Sequence, residues 1–178
     1  SPEGPNFNPA GGRILEFDWD DNIVWEHIDH FQHHDFHRLP NGNTIFLAWE
    51  LIPTDEAKTQ MVGGIPDTEH EDGGVYYDLL REVNQAGEIV WEWHAWDHLI
   101  QDFDPFLPNF GVVADHPELI NINPINSLSA DWLHGNSIDY SAELDQVVIS
   151  LRAIHEIWVI DHSTTSSEAA GHDGGVQG

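Results

Sequence analysis

Apolar and polar residues along this chain alternate in short bursts rather than at helical spacing, and the bursts recur. Gly12 to His27, "GRILEFDWDDNIVWEH", and Tyr77 to His94, "YDLLREVNQAGEIVWEWH", share one layout. With Trp25 set on Trp91, Glu16 meets Glu82, Phe17 meets Val83, Ile23 meets Ile89 and Val24 meets Val90. Each segment is an apolar run, a polar turn (Asp20 to Asn22, or Gln85 to Gly87) and then "IVWE", which predicts a β-hairpin. A third, partial copy is "HEIWVIDHSTT", His155 to Thr165, with Asp161 in the place of Asp18.

Between the hairpins lie second units. "HHDFHRLPNGNTIFLAWE" (His33 to Glu50) carries a turn at Leu39 to Asn43 and a strand at Thr44 to Trp49. "LHGNSIDYSAELDQVVISLR" (Leu133 to Arg152) has the same layout, with its turn at Ser141 to Asp145 and its strand at Gln146 to Leu151. The unit is a hairpin, a strand headed by histidine, a turn and a strand. Repetition of four short strands predicts an all-β chain of the β-propeller type, with a β-sandwich as the alternative. The repeat accounts for roughly two to three blades, and a propeller needs at least four. The expectation is therefore part of a longer propeller, or a ring completed by other copies in a homo-oligomer.

Two inserts interrupt the repeat. Residues 51–75 are acidic and Gly-rich; residues 95–131 are aromatic and Pro-rich. Weak helical patterns fall at Thr54 to Met61 and His98 to Phe103. Long loops tend to be lids or binding loops. The aromatics Trp93, Trp96, Phe103, Phe106 and Phe110 read as a satellite core under a loop or as a binding surface. Residues 162–178 read as a flexible polar segment.

Composition narrows the partners. The chain has 178 residues, enough for a single domain with a real core, residues 1–178. Its 32 acidic residues against five Lys+Arg give a formal charge of −27. That field disfavours nucleic acid and anionic membrane, and reads first as a strongly hydrated surface. No apolar run approaches a membrane span. The start "SPEGPNFNPAGG" has no basic-then-apolar leader and reads as a mature or truncated end. With no cysteine, thiol chemistry and disulfides are excluded.

The densest candidate chemistry is "HFQHHDFH", His30 to His37. With His27 and Asp29 it supplies His27, His30, His33, His34, His37 and Asp35 as ligands for zinc or for a two-histidine, one-carboxylate iron site. Strand alternation instead puts His33, Asp35 and His37 on one face and His34 and Phe36 on the other. By the repeat, His34 is the equivalent of His134, and Asn136 shares a strand face with His134. Arg152, at the end of "QVVISLR", is a candidate anion clamp. "DWDDN" (Asp18 to Asn22) reads as a hairpin turn, because it lacks the glycine and distal glutamate of a calcium loop.

Taken in order, "HHDF…LPNGN", "DWLHGNSIDY…LDQVVISLR", "EIWVIDHSTTSSEAAGH" and the 18-residue step from His134 to Arg152 resemble the bacterial aryl-sulfate sulfotransferases. The resemblance runs from about Gly12 to the end of the chain. It implies a six-bladed β-propeller, periplasmic or secreted, that moves a sulfuryl group from a phenolic sulfate ester to a phenol through a sulfohistidine, in ping-pong fashion. It implies catalytic roles for His34, His134 and Arg152 and substrate contacts for His33, Asp35 and Asn136. Aryl sulfates and phenols would be the partners, with no cofactor and no metal. Arg152, Asn136 and protonated histidines would stabilise the charge on the sulfuryl oxygens. Two departures stand out. The family's nucleophilic histidine sits in a motif resembling "QHDA" in a later blade, and the chain ends at Gly178 before such a motif. Gly135 replaces a bulky apolar residue and is expected to loosen the strand start. The alternatives are a non-catalytic propeller that binds or scaffolds, and a metal-binding hydrolase built on the His27 to His37 cluster.

Overall fold

The computed structural model describes residues 11–61, 73–123 and 130–172. Strands β1 (Arg13–Phe17) and β2 (Ile23–Ile28) form a hairpin. Strands β3 (Gln32–Arg38), β4 (Thr44–Pro53), β5 (Gly74–Val83) and β6 (Ile89–His94) form a four-stranded antiparallel sheet in that order. Short β7 (Leu99–Ile100) and β8 (Ile120–Asn121) pair in parallel. Strands β9 (Gly135–Ser141), β10 (Gln146–Leu151) and β11 (Glu156–Asp161) form a three-stranded antiparallel sheet. The chain is mostly β, in several antiparallel sheets.

The aligned hairpins fold alike to the level of single residues. In both, Trp pairs with Glu (Glu16 with Trp25, Glu82 with Trp91), and the register then slips by one residue at Phe17 or Val83. The turn is the same device each time. Asp18 Oδ1 accepts from the backbone of Asp20 and Asn22, and Asn84 Oδ1 from the backbone of Ala86 and Glu88. Asp161 Oδ1 accepts from Ser163 N in the third copy. A short side chain that hydrogen-bonds two residues ahead sets such a turn. The left-handed corner falls on Asp21 (φ 63°) and, at the equivalent place, on Gly87 (φ 78°).

Strand β4 explains why the sheets stack. Its run "TIFLAW" is apolar on both faces, as a strand covered on both sides must be. Ile45 and Leu47 join the core shared with Ile138, Val147, Ile149 and Leu151 of the three-stranded sheet. Phe46 and Ala48 join the core shared with Ile14 of the hairpin. Two polar bridges reinforce the hairpin contact: Trp25 Nε1 donates to Gln85 O (3.1 Å), and the Arg38 guanidinium lies 4.7 Å above the Trp25 ring while pairing with Glu16.

Several element boundaries differ from the sequence expectations. Strand β4 continues to Pro53 and β5 begins at Gly74, so both extend into the first insert, because ten consecutive pairs join them. Among the described residues of that insert, only Thr54–Ala57 are helical (α1). In the second insert the helix expected at His98 to Phe103 is absent. A 3₁₀ turn covers Ala95–His98, and Leu99–Ile100 is extended. Buried Gln101 organises that loop, accepting from Phe103 N and Asp104 N and donating to Asp104 O. The insert aromatics divide: Trp93 and Trp96 are core, whereas Phe103, Phe106 and Phe110 are exposed. The polar tail is not all loop, since Ser166–Ala169 form a helical turn (α2) closed by a Thr165–Glu168 capping box.

At the end of the sheets remote from the "HFQHHDFH" bulge, His162 joins two of them. Nε2 meets buried Glu82 of β5 and Nδ1 meets Asp145 before β10, both at 2.8 Å, with the Trp91 and Tyr140 rings against its faces. Burial opposes its charge, but the two carboxylates outweigh burial and raise its pKa. Glu82 and Asp145 are lowered against their own burial by hydrogen bonds, chiefly from His162 to Glu82 and from Tyr140 to Asp145. A raised histidine stabilises the fold most below its unfolded pKa, and lowered carboxylates do so above theirs. His162→Gln is therefore expected to unfold most easily relative to the parent at about pH 5–6, between those reference values. Denaturant titration there should show a loss of about 1–3 kcal/mol, shrinking as pH rises through the raised histidine pKa. A gap independent of pH would mean the charges are not what joins the sheets.

Candidate functional site

The candidate residues meet where β3, β5, β9 and the end of β10 converge. Strand β3 does not alternate through "HHD". Gln32 pairs with Ala48 and Phe36 with Phe46, so His33, His34 and Asp35 together face the single residue Leu47. His34 takes a left-handed backbone (φ 47°) at this bulge. Strand β9 repeats the trick. His134 has φ 55°, and Asn136 is the extra residue where the pairing slips from Ser150–Ser137 to Leu151–Gly135. On β3 the bulge adds two residues, so His33 (against Trp49 and Asp78), Asp35 (bonded to Ile138 N) and His37 (against Asp139) do share the face that alternation assigns. His34 instead leaves the Phe36 face to meet His134, and the single extra residue Asn136 breaks from the His134 face. Bulges and left-handed residues are common where a side chain must be re-aimed at a site.

The two re-aimed histidines touch. The His34 and His134 rings pack edge to face, 4.7 Å between centroids. Behind each stands a buried carboxylate. His134 Nδ1 lies 2.5 Å from Asp131 Oδ2, and Asp131 Oδ1 also accepts from Trp49 Nε1 (3.2 Å). His34 Nδ1 is 3.0 Å from His33 Nδ1. His33 is fully buried, stacks on Trp49 with 4.0 Å between centroids, and sets Nε2 3.3 Å from Asp78 Oδ1. Asp78 is itself buried in the middle of β5.

Arg152 completes the group. Its backbone N–H donates to His134 O (3.1 Å), which places it beside the histidine, and Nη1 comes 3.5 Å from His134 Nε2. The other three arginines are each tied to carboxylates: Arg13 to Glu26, Arg38 to Glu16, and Arg81 to Asp29 and Glu92. Among the described residues Arg152 has no carboxylate partner, and it is solvent-exposed.

The remaining predicted residues go elsewhere. Asp35 Oδ2 accepts from Ile138 N (3.1 Å) and so fastens β3 to β9. Asn136 is exposed on the β9 bulge. His33 is too deep to touch a ligand directly. Asp78, Asp131 and Trp49 were not singled out from sequence. The clue was present for two of them: Asp78 is a lone acid inside the apolar run "VYYDLL", and Asp131 precedes His134 by three residues in "DWLH".

Burial first, then the neighbouring His33, His134 and Arg152, pull the His34 pKa down to about 4. His34 is therefore neutral at pH 7. Of the cationic groups expected to face a sulfuryl ester, His34 is not one. Asp131 moves the other way, raised by burial and by the nearby Asp78 charge despite the His134 contact.

Gly135, expected to loosen the strand start, has the opposite role. Its N–H donates to Asp78 Oδ1 (2.9 Å). A Cβ there would overlap that oxygen and stand 3.2 Å from Leu47 Cδ2. Only glycine lets β9 approach the buried carboxylate this closely.

The metal alternative finds no support in this arrangement. His27 packs on Trp25 and Phe46, His33 on Trp49, His34 on His134, and His37 reaches Asp139. No three of the described His, Asp and Glu residues converge as a metal-binding group.

The cluster thus sets an exposed guanidinium, without a carboxylate partner among the described residues, and two touching imidazoles in front of buried carboxylates. No curated protein matches the chain. The arylsulfotransferase (ASST) family model matches residues 25–167, from the second strand of the first hairpin into α2 and across the His34, His134 and Arg152 cluster. The chain belongs to the arylsulfotransferase family.

Proposed function

We propose that this protein transfers the sulfuryl group of an aryl sulfate to a phenol, at the cluster of His34, His134 and Arg152. The observation that carries this reading is Arg152, the arginine left without a carboxylate partner among the described residues, set against two histidines re-aimed by bulges. In a chain of charge −27, an anionic donor needs such a local positive point. A sulfuryl group in transit spreads negative charge over its oxygens. Arg152 and His134, the latter backed by Asp131, are placed to hold that charge. Neutral His34 is suited to exchange a proton with the phenol oxygen.

The four-stranded sheet is then one blade of a propeller, the hairpin is the outer half of the blade before it, and the three-stranded sheet is part of the blade after it. The His-headed strands β3 and β9 lie innermost, which is why their first residues meet. The ring is completed by further blades, and one of them supplies the sulfuryl-accepting histidine, whose "QHDA"-like motif does not occur in this sequence. A periplasmic or secreted location suits such a substrate.

The test uses 4-nitrophenyl sulfate, with and without a phenol acceptor, on the protein assembled with its remaining blades. Nitrophenol release should rise with acceptor concentration. Arg152→Ala should lower kcat/KM by about 10²-fold, the scale of one lost charge-stabilising donor. Release that ignores the acceptor indicates a hydrolase. No release with any aryl sulfate favours a binding propeller.

A further inference from the structure

Two groups in the cluster are too deep to meet a ligand, yet they are joined to one that can. Asp78 and His33 are 1% and 0% exposed. Asp78 Oδ1 is held by Gly135 N, and Oδ2 has no hydrogen-bond partner. His33 Nε2, 3.3 Å from Oδ1, lies within ion-pair range but too obliquely for a hydrogen bond, and it has no other partner. A lone carboxylate this deep is costly, so the pair is most stable sharing one proton, as imidazolium and carboxylate or as imidazole and carboxylic acid. The other charged or titratable groups facing it are Asp131, His134, Arg152 and His34. From His33 the hydrogen-bonded path runs outward through the 3.0 Å Nδ1–Nδ1 contact to His34, whose Nε2 is the nitrogen left for a ligand.

We propose that Asp78 and His33 are the proton store of the sulfuryl-transfer site, and that His34 carries the proton by switching tautomer. This rests on the transfer reaction proposed above. As the ester S–O bond breaks and an S–N bond forms on the accepting histidine, the departing phenolate takes the Nε2 proton of His34. His34 Nδ1 takes a proton from His33 Nδ1, leaving the buried pair one proton poorer. In the second half, the acceptor phenol gives its proton to His34 Nε2, and the Nδ1 proton returns to His33. The phenol oxygen bonds to sulfur as the S–N bond breaks, so no proton is gained or lost overall. His34 stays neutral throughout, in keeping with a pKa held near about 4. His33 and Asp78 are thus positioning and proton-storing residues that touch no substrate.

The deciding experiment reads the histidine ring nitrogens by ¹⁵N-labelled NMR, in the parent and in Asp78→Asn. The parent should show His34 protonated on Nε2 only near neutral pH, with His33 and Asp78 sharing an extra proton. Asp78→Asn should strip that proton from His33, move the pH–rate profile and lower kcat by about 10²-fold, with KM for 4-nitrophenyl sulfate little changed. A parent His34 protonated on Nδ1, or an Asp78→Asn protein with unchanged ring tautomers and pH profile, overturns the store. If Asp78→Asn does not fold, His33→Gln makes the same distinction through the His34 tautomer. A parent inactive on every aryl sulfate would sink the transfer reaction, while the spectra still show whether the store exists.

Discussion

Replacing His134 with alanine should lower kcat/KM for an aryl sulfate by about 10²- to 10³-fold, the loss seen when one preorganised stabiliser of developing negative charge is removed. Three contacts set this expectation. Asp131 fixes the ring through Nδ1 at 2.5 Å, so Nε2 is the working nitrogen. Arg152 stands 3.5 Å from that nitrogen, so in the proposed reaction the two would face the same anion. The His34 ring packs at 4.7 Å, so the proposed proton carrier and the proposed charge holder are neighbours. Losing His134 also leaves Asp131 without its imidazole. The loss should therefore exceed that of an exposed histidine such as His30. Steady-state kinetics on the assembled protein checks it, and a rate within about twofold of the parent would place the chemistry elsewhere.

The largest structural effect is expected from Gly135→Leu. Here the side chain would meet the Asp78 carboxylate and Leu47. Overpacking a well-filled interior costs about 1–3 kcal/mol. Stripping the N–H from a buried carboxylate adds about 1–3 kcal/mol more. Together these approach much of the stability of a small domain. Chemical denaturation should show a sharply lowered midpoint, or no folded protein at all. A Gly135→Leu protein as stable as the parent would mean that β9 does not approach Asp78 as closely as described.

The repeat made much of this architecture legible. Matching Trp25 to Trp91 located two hairpins whose pairing, slip and turn agree residue by residue, because the side chains that set a turn are local. The same logic paired His34 with His134. Faces were legible only in part: His33, Asp35 and His37 share one as alternation assigns, whereas His34 and Asn136 do not. Alternation assigns side chains correctly only while the ladder is regular, and the bulges at His33 to Asp35 and at Asn136 break it at the site. Nothing in "HHDF" announces that a histidine will take a left-handed backbone. Asp78 and Asp131 escaped notice for another reason. Among 32 acidic residues, these two draw no attention until burial distinguishes them. Gly135 suggests slack in the sequence, whereas its close approach seats Asp78.

The most direct test follows the sulfuryl group itself. The assembled protein is incubated with a sulfur-labelled aryl sulfate and an unlabelled phenol, and the products are separated. The label should appear as the sulfate ester of the added phenol, and Arg152→Ala should suppress it. Label recovered only as free sulfate, or left in the donor, would contradict a transferase site at His34, His134 and Arg152.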